Sequence, residues 1–266
     1  MTVEFRPAPP NAGRTFVRKD LGPDARIPVH PQLRTEARRR TNLSNQGVHV
    51  HMVEHVLAAL AGLQIDNCEI WVDQAEMPGC DGSSLPFVNA LLAAGIEQQP
   101  APVRQLVIQE PIRVTDGAGS IAAYPSPDGE FSIEFELYYP HNHRIGRQAT
   151  KVSIDPDSFV RELAPCRTFL LASEANALVG QGLGTRVTAS DLLVFDDDGL
   201  IDNRLRFANE CARHKALDVL GDLALTGRQI IGTFAAYRSS HRLNAVLARE
   251  ILERFAEPKM GYRAAS

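Results

Sequence analysis

The chain has 266 residues, 44% hydrophobic and 23% charged, with a formal net charge of −4. That balance builds a sizeable core without staples and gives no global attraction for nucleic acid or an anionic membrane. No apolar run reaches the roughly 20 residues a spanning helix needs, and the opening MTVEFRPAPPNAG lacks an apolar signal core.

In chain order, TVEFR alternates like a half-buried strand and stops at Pro7, Pro9 and Pro10. Residues 20–43 are polar and irregular and carry Arg38-Arg39-Arg40. One short basic run on an acidic chain reads as a solvated face, not a nucleic-acid site. Residues 51–61 read as a helix with Gly62 near its C-terminal end, and CEIWVD follows as a strand. EMPGCDGSS is a loop, and LPFVNALLAAGI is a second helix with Pro86 near its first turn.

The Pro-rich seam QQPAPVRQ, at 98–105, predicts a domain boundary, giving domains 1–100 and 101–266. Beyond it LVIQEPIRV, GSIAAYP and FSIEFELYYP read as consecutive strands, and KVSIDPDSFVREL as strand then helix. Residues 170–200 carry no single pattern. A helix follows at about 206–226, closed by Gly227, then the strand QIIGTFAAYR and a last helix, HRLNAVLAREILERF. The halves have similar α+β make-up, which permits an ancient duplication. Four cysteines, Cys68, Cys80, Cys166 and Cys211, form no CxxC pair. They predict reduced thiols in a cytoplasmic protein.

Three places hold histidine in unusual company. On a helix, His51, His55, Ala58, Ala59 and Gly62 share one face, with Glu54 near the same end. In RHKALDVLGDL, His214 and Asp218 stand four residues apart on an otherwise apolar helix, a common way to present two metal ligands. In Ser239-Ser240-His241 a strand hands over to a helix, where a histidine can reach into a cleft. Taken singly, each has a plain reading as a helical pair, a surface dipeptide or a helix start. Together, in the most apolar segments of the chain, they point to a site, because buried charge is expensive unless paired or metal-bound. Two histidines and an aspartate leave one position open, as catalytic zinc requires. A glutamate beside a ligand suits a general base, a further histidine a general acid, and the set suits hydrolysis of an amide or ester.

VEHVLAALAGLQIDN, EMPGCDGSSLPFV, CRTF, RHKALDVLGDL and AYRSSHRLN, in that order, resemble the UDP-3-O-acyl-N-acetylglucosamine deacetylases of lipid A biosynthesis. The resemblance covers most of 44–97 and 160–256, and FRPAPPNAG looks like the family's early strand and turn. It implies a zinc-dependent amidase that releases acetate from a UDP-linked acylated amino sugar. It also implies two similar α+β domains, each a sheet on two helices, with the active site between them. By motif, His55, His214 and Asp218 look like the Zn2+ ligands, and Glu54 like the general base. His241 matches the residue that stabilises the oxyanion or protonates the leaving amine, and Thr168 the hydroxyl that supports the oxyanion. Lys215 and Asp222 match polar catalytic residues, Asp222 paired with the catalytic histidine. Phe169 matches an apolar wall near the sugar, and Arg238 stands for a lysine near the diphosphate. The expected protein is a cytoplasmic monomer with no stable membrane insertion.

The chain departs from the family's pattern in places. The family's first strand, a short Gly-rich turn and a histidine-containing segment precede the strand beginning here at Thr2. That predicts either a start assigned downstream or a first domain without an edge strand. Met52 replaces a threonine and Ser240 a glycine. GQGLGTRVTASDLLVFDDDG, 180–199, replaces a Gly-Gly-Ser-type turn and an Asp-x-Ala-type strand. It lies in the segment, about 170–199, expected to form the acyl-chain passage. Acyl length stays open, as does zinc against ferrous iron. A paralogous deacetylase for another N-acetyl sugar nucleotide would carry the same motifs. A non-catalytic UDP-sugar-binding relative is disfavoured, because Glu54, His55, His214, Asp218 and His241 are all present.

Overall fold

The computed structural model describes residues 1–140, 142–180, 188 and 191–256. The first segments are β1 (Val3–Pro7), β2 (Arg14–Arg18), β3 (Arg26–Pro28), β4 (Arg34–Thr35), β5 (Asn42–Asn45) and β6 (Val48–His51). Then come α1 (Glu54–Gly62), β7 (Cys68–Val72) and α2 (Leu85–Ala94). Strands β1, β7, β2 and β3 form one sheet in that order, and β4–β6 form a small antiparallel sheet of their own.

The second half holds β8 (Gln105–Val107), β9 (Ile112–Asp116), β10 (Gly119–Tyr124), β11 (Phe131–Tyr138) and β12 (Arg147–Ser153). A short helical turn, α3 (Pro156–Ser158), runs into a π-helical turn, Phe159–Leu163. After these come β13 (Phe169–Leu171), α4 (Ala172–Gly180), β14 (Leu193–Phe195), α5 (Glu210–Leu223), β15 (Gln229–Tyr237) and α6 (His241–Phe255). The large sheet has the order β12-β11-β15-β10-β9, with β8 added beside the start of β15.

The two halves repeat one connectivity. In the first, β1 runs antiparallel to β7, β7 parallel to β2, and β2 antiparallel to β3. In the second, β10, β15, β11 and β12 pair in the same senses. Helix α1 precedes β7 as α5 precedes β15, and α2 follows as α6 follows. The additions fall at the same point, between third strand and first helix: β4–β6 in one half, and the segment from α3 through β14 in the other. The α+β class and the likeness of the halves are thus features of the structure.

Helices α1 and α5 pack on each other, and α5 also meets α6, β11 and β12. Both are buried on nearly every side, as central helices must be, and α5 carries the polar groups of the site among its apolar ones. Val56, Leu57, Ala58, Ala59 and Leu60 are fully buried, and so are Ala216, Leu217 and Val219. Phe16, Ile70 and Val72 from the first sheet and Ile133 and Phe234 from the second join the same apolar cluster.

Two sequence expectations are corrected here. The helix read at 51–61 begins at Glu54, because His51 is the last residue of β6 and Met52 has φ +60, which no helix accommodates. LVIQEPIRV is two strands, because Pro111 has no N–H to donate to a ladder. Its first part pairs with β15 and its second with β10.

Candidate active site

The site forms where the N-terminal end of α1 meets α5. Close approach there depends on Gly221. A Cβ at that position would lie 2.1 Å from the carbonyl oxygen of Glu54, so any side chain would force the helices apart. This is why the helix containing Asp218 carries a glycine in its last turn. The next turn ends at Gly227, in the left-handed conformation with φ +64.

Near this crossing, His55, His214 and Asp218 bring one nitrogen or oxygen each within 4.8 Å of one another. Asp218 Oδ1 lies 3.5 Å from His214 Nε2 and 3.8 Å from His55 Nε2. It is buried and has no hydrogen-bond partner. Those separations are long for hydrogen bonds. They are close to the about 3.3 Å expected between ligands sharing a tetrahedral ion at about 2.0–2.1 Å. An orphaned carboxylate oxygen facing two imidazole nitrogens fits a divalent cation. The His214 ring is fixed by the Cys166 carbonyl, 3.2 Å from Nδ1. A carbonyl only accepts, so Nδ1 carries the proton and Nε2 is free to ligate. The Thr168 hydroxyl lies 3.0 Å from that same Nε2.

Around this trio stand groups with opposed proton affinities. Burial pushes the Glu54 carboxyl up to about 7. Burial also opposes charge on His241, but Asp222 and Asp218 outweigh it and raise the imidazole to about 9. Its Nδ1 donates to Asp222 Oδ2 at 2.8 Å. Burial lowers His55 to about 3, which keeps the ring neutral and basic toward a cation. Burial works against an ionised Asp218, yet His214, Lys215, His241 and His55 hold it well below the usual carboxylate range. Lys215 Nζ donates to Asp218 Oδ2 at 2.7 Å, and this carboxylate keeps the buried ammonium charged. With the imidazole at about 9 and the carboxyl at about 7, His241 keeps its proton at a pH where Glu54 can accept one, as an acid and a base sharing one site require.

The model of the family UDP-3-O-acyl N-acetylglycosamine deacetylase (LpxC) matches residues 1–253. The chain belongs to that family. A UDP-3-O-acyl-N-acetylglucosamine deacetylase of Anaeromyxobacter sp. (strain Fw109-5) is 38% identical over 252 residues, 94% of this chain and 81% of the relative. One from Haemophilus influenzae (strain 86-028NP) is 39% identical over 256 residues, 95% of this chain and 83% of the relative. A bifunctional LpxC/FabZ enzyme of Chlorobaculum tepidum is 38% identical over 283 residues, covering 96% of this chain and 60% of the larger protein.

In this deacetylase-family chain, the structure brings together nearly every residue singled out from the sequence. Glu54, His55, Thr168, His214, Lys215, Asp218, Asp222 and His241 form one connected group. Phe169 stands beside it, its ring edge-on to His214 at 6.3 Å between centroids. Arg238 forms no hydrogen bond or ion pair with the group; its guanidinium sits 6.0 Å over the Tyr138 ring. His51, expected on the helix face, lies instead in β6, its ring centroid 6.3 Å from that of His49 and tilted by 45°. The passage expected at about 170–199 falls partly on 181–187 and 189–190, outside the described residues.

Other residues of the site were not singled out from the sequence. Asn244 donates to Asp222 Oδ2 at 2.9 Å, and the Ser239 hydroxyl donates to Asn244 Oδ1 at 2.6 Å. Ser84 binds the His55 carbonyl at 2.7 Å. Arg167, buried against Glu210, fixes the segment that carries Thr168. Gly82, at φ +76, gives Thr168 N–H its 2.8 Å acceptor. The basic run is a solvated face, as expected, with Arg38 and Arg39 exposed; Arg39 pairs with Glu174 and Arg40 with Glu76. Thr41, which follows it, is fully buried against the site.

Proposed function

We propose that this protein hydrolyses the N-acetyl amide of UDP-3-O-acyl-N-acetylglucosamine to acetate and the free amine, for lipid A biosynthesis in the cytoplasm. The observation that carries the reading is the unpartnered Asp218 Oδ1 between His55 and His214, flanked by Glu54 and His241. His55, His214 and Asp218 would hold Zn2+, which supplies Lewis acidity to polarise the amide carbonyl and acidify water. Glu54 takes the proton of the attacking water. Its Oε2 is occupied by the Thr41 N–H at 2.9 Å, so Oε1 is the oxygen that works. The Thr168 hydroxyl and the Lys215 ammonium offer stabilisation to the oxyanion. His241, charged and held by Asp222, donates from Nε2 to the departing nitrogen, which leaves as the amine. Phe169 forms an apolar wall for the sugar, Arg238 attracts the diphosphate, and the 170–199 segment bounds the acyl chain. Residues 1–100 and 101–266 act as two domains, each supplying part of the site to a monomer.

The test is acetate release from this substrate by purified protein with stoichiometric zinc, beside Glu54→Gln. Release by wild type and a fall of about 100-fold or more in the variant, at unchanged zinc content, is the expected result. A folded, zinc-loaded wild type that releases no acetate overturns the reading.

A further inference from the structure

Among the described residues, Thr41 alone hydrogen-bonds to both the base and the acid pair. Its backbone N–H donates to Glu54 Oε2 at 2.9 Å. Its hydroxyl donates to Asp222 Oδ1 at 2.5 Å, across 181 residues of sequence. Its carbonyl accepts from the N–H of Val53, the residue that leads into α1, at 3.0 Å. All three of its hydrogen-bonding groups are therefore spent on the site, and its side chain is fully buried.

The connection has a mechanical meaning. Glu54 opens α1, in the first half, while Asp222 lies near the end of α5, in the second. Asp222 Oδ2 already serves His241 and Asn244. Among the described residues the Thr41 hydroxyl is the only donor to Oδ1, so together with the two bonds to Oδ2 it fixes the rotation of that carboxylate about its bond to the chain. The rotation sets the direction of the His241 ring. The same residue, through its rigid backbone, sets where Glu54 points.

We propose that Thr41 is a positioning residue that locks the general base and the His241–Asp222 pair into one relative geometry. This rests on the hydrolytic reading above. The substrate-contacting groups are untouched by Thr41, so its loss acts on the chemical step and not on substrate binding.

Thr41→Val keeps the shape and the backbone N–H but removes the hydroxyl, and Thr41→Ser keeps the hydroxyl. Acetate release is measured for both with zinc-loaded protein, after the wild type has been shown to turn over. A wild type without activity counts against the hydrolytic reading. With an active wild type, Thr41→Val is expected to lower kcat by about 10- to 100-fold with KM within about twofold. Thr41→Ser is expected to restore most of the rate. In a cycle with Asp222→Asn, the two losses are expected to be non-additive, since both act on one carboxylate. Should Thr41→Val not fold, Thr41→Ala takes its place in the same comparison. Full kcat in the hydroxyl-less variant overturns the proposal. So does equal loss in the serine variant, and so does simple additivity in the cycle.

Discussion

Replacing Gly221 by alanine puts the helix crossing under direct test. An alanine in a helix interior normally gains about 1 kcal/mol over glycine. Here the added Cβ would stand 2.1 Å from Glu54 O, 2.8 Å from Glu54 C and 3.1 Å from Glu54 Cα, all backbone atoms that cannot rotate away. Ordinary contact begins near 3.4 Å, so α1 and α5 must part by about 1 Å. Overpacking of that kind costs about 1–3 kcal/mol, which at least cancels the propensity gain and leaves up to about 2 kcal/mol of net destabilisation. For a chain of this size the melting temperature should fall by up to about 8 °C. Activity should suffer more, because the atoms displaced belong to Glu54, the proposed general base. A shift of about 1 Å at a reacting group costs on the order of 100-fold in rate. Differential scanning calorimetry and acetate release on the same zinc-loaded preparation measure both. An alanine variant that melts at or above the wild-type temperature and turns over at the wild-type rate would refute the close-approach argument.

Three further outcomes are expected. Asp218→Asn should bind less than one zinc per chain by metal analysis after dialysis, while the secondary structure by circular dichroism stays that of wild type. Glu210→Ala should lower stability by about 3–5 kcal/mol in urea titration, because it strands the Arg167 guanidinium in the interior; in the wild type Arg167 Nε lies 2.9 Å from Glu210 Oε1. At the start of α3, the Ser158 and Asp157 amides hold the Asp155 carboxyl below its usual 3.8. A depressed folded-state value means that the cap stabilises above about pH 4 and loses its effect as pH falls through that lower value. Asp155→Ala should therefore cost about 0.5–2 kcal/mol at pH 7 and progressively less below pH 4, read from denaturation midpoints across pH.

Much of this was legible where a local period or cap decides the outcome. The last helix begins at His241 behind Ser240, whose hydroxyl accepts from Leu243 N, and its buried Leu243, Leu247 and Ile251 follow helical spacing. His214 and Asp218 were readable as a pair because one turn of helix brings them together. The helix start at 48–54 was misplaced because His51 falls at helical spacing from His55 and only the backbone turn at Met52 separates β6 from α1. Thr41 was hidden for another reason. Its partners lie 13 and 181 residues away, and a threonine after three arginines carries no periodic signal. Contacts between distant segments are set by how the two sheets and their helices stack, which no short window encodes.

Because the repeated halves meet along α1 and α5, neither half owns a complete set of the proposed reacting groups: Glu54 and His55 come from one, His214, Asp218 and His241 from the other. Catalytic competence is then a gauge of the seam. A breathing motion that parts the central helices by an ångström silences the enzyme while both sheets remain folded, at far less free energy than global unfolding. Loss of turnover on warming thus precedes loss of circular dichroism, and a bound ion that bridges the halves acts as a rivet as well as a reagent.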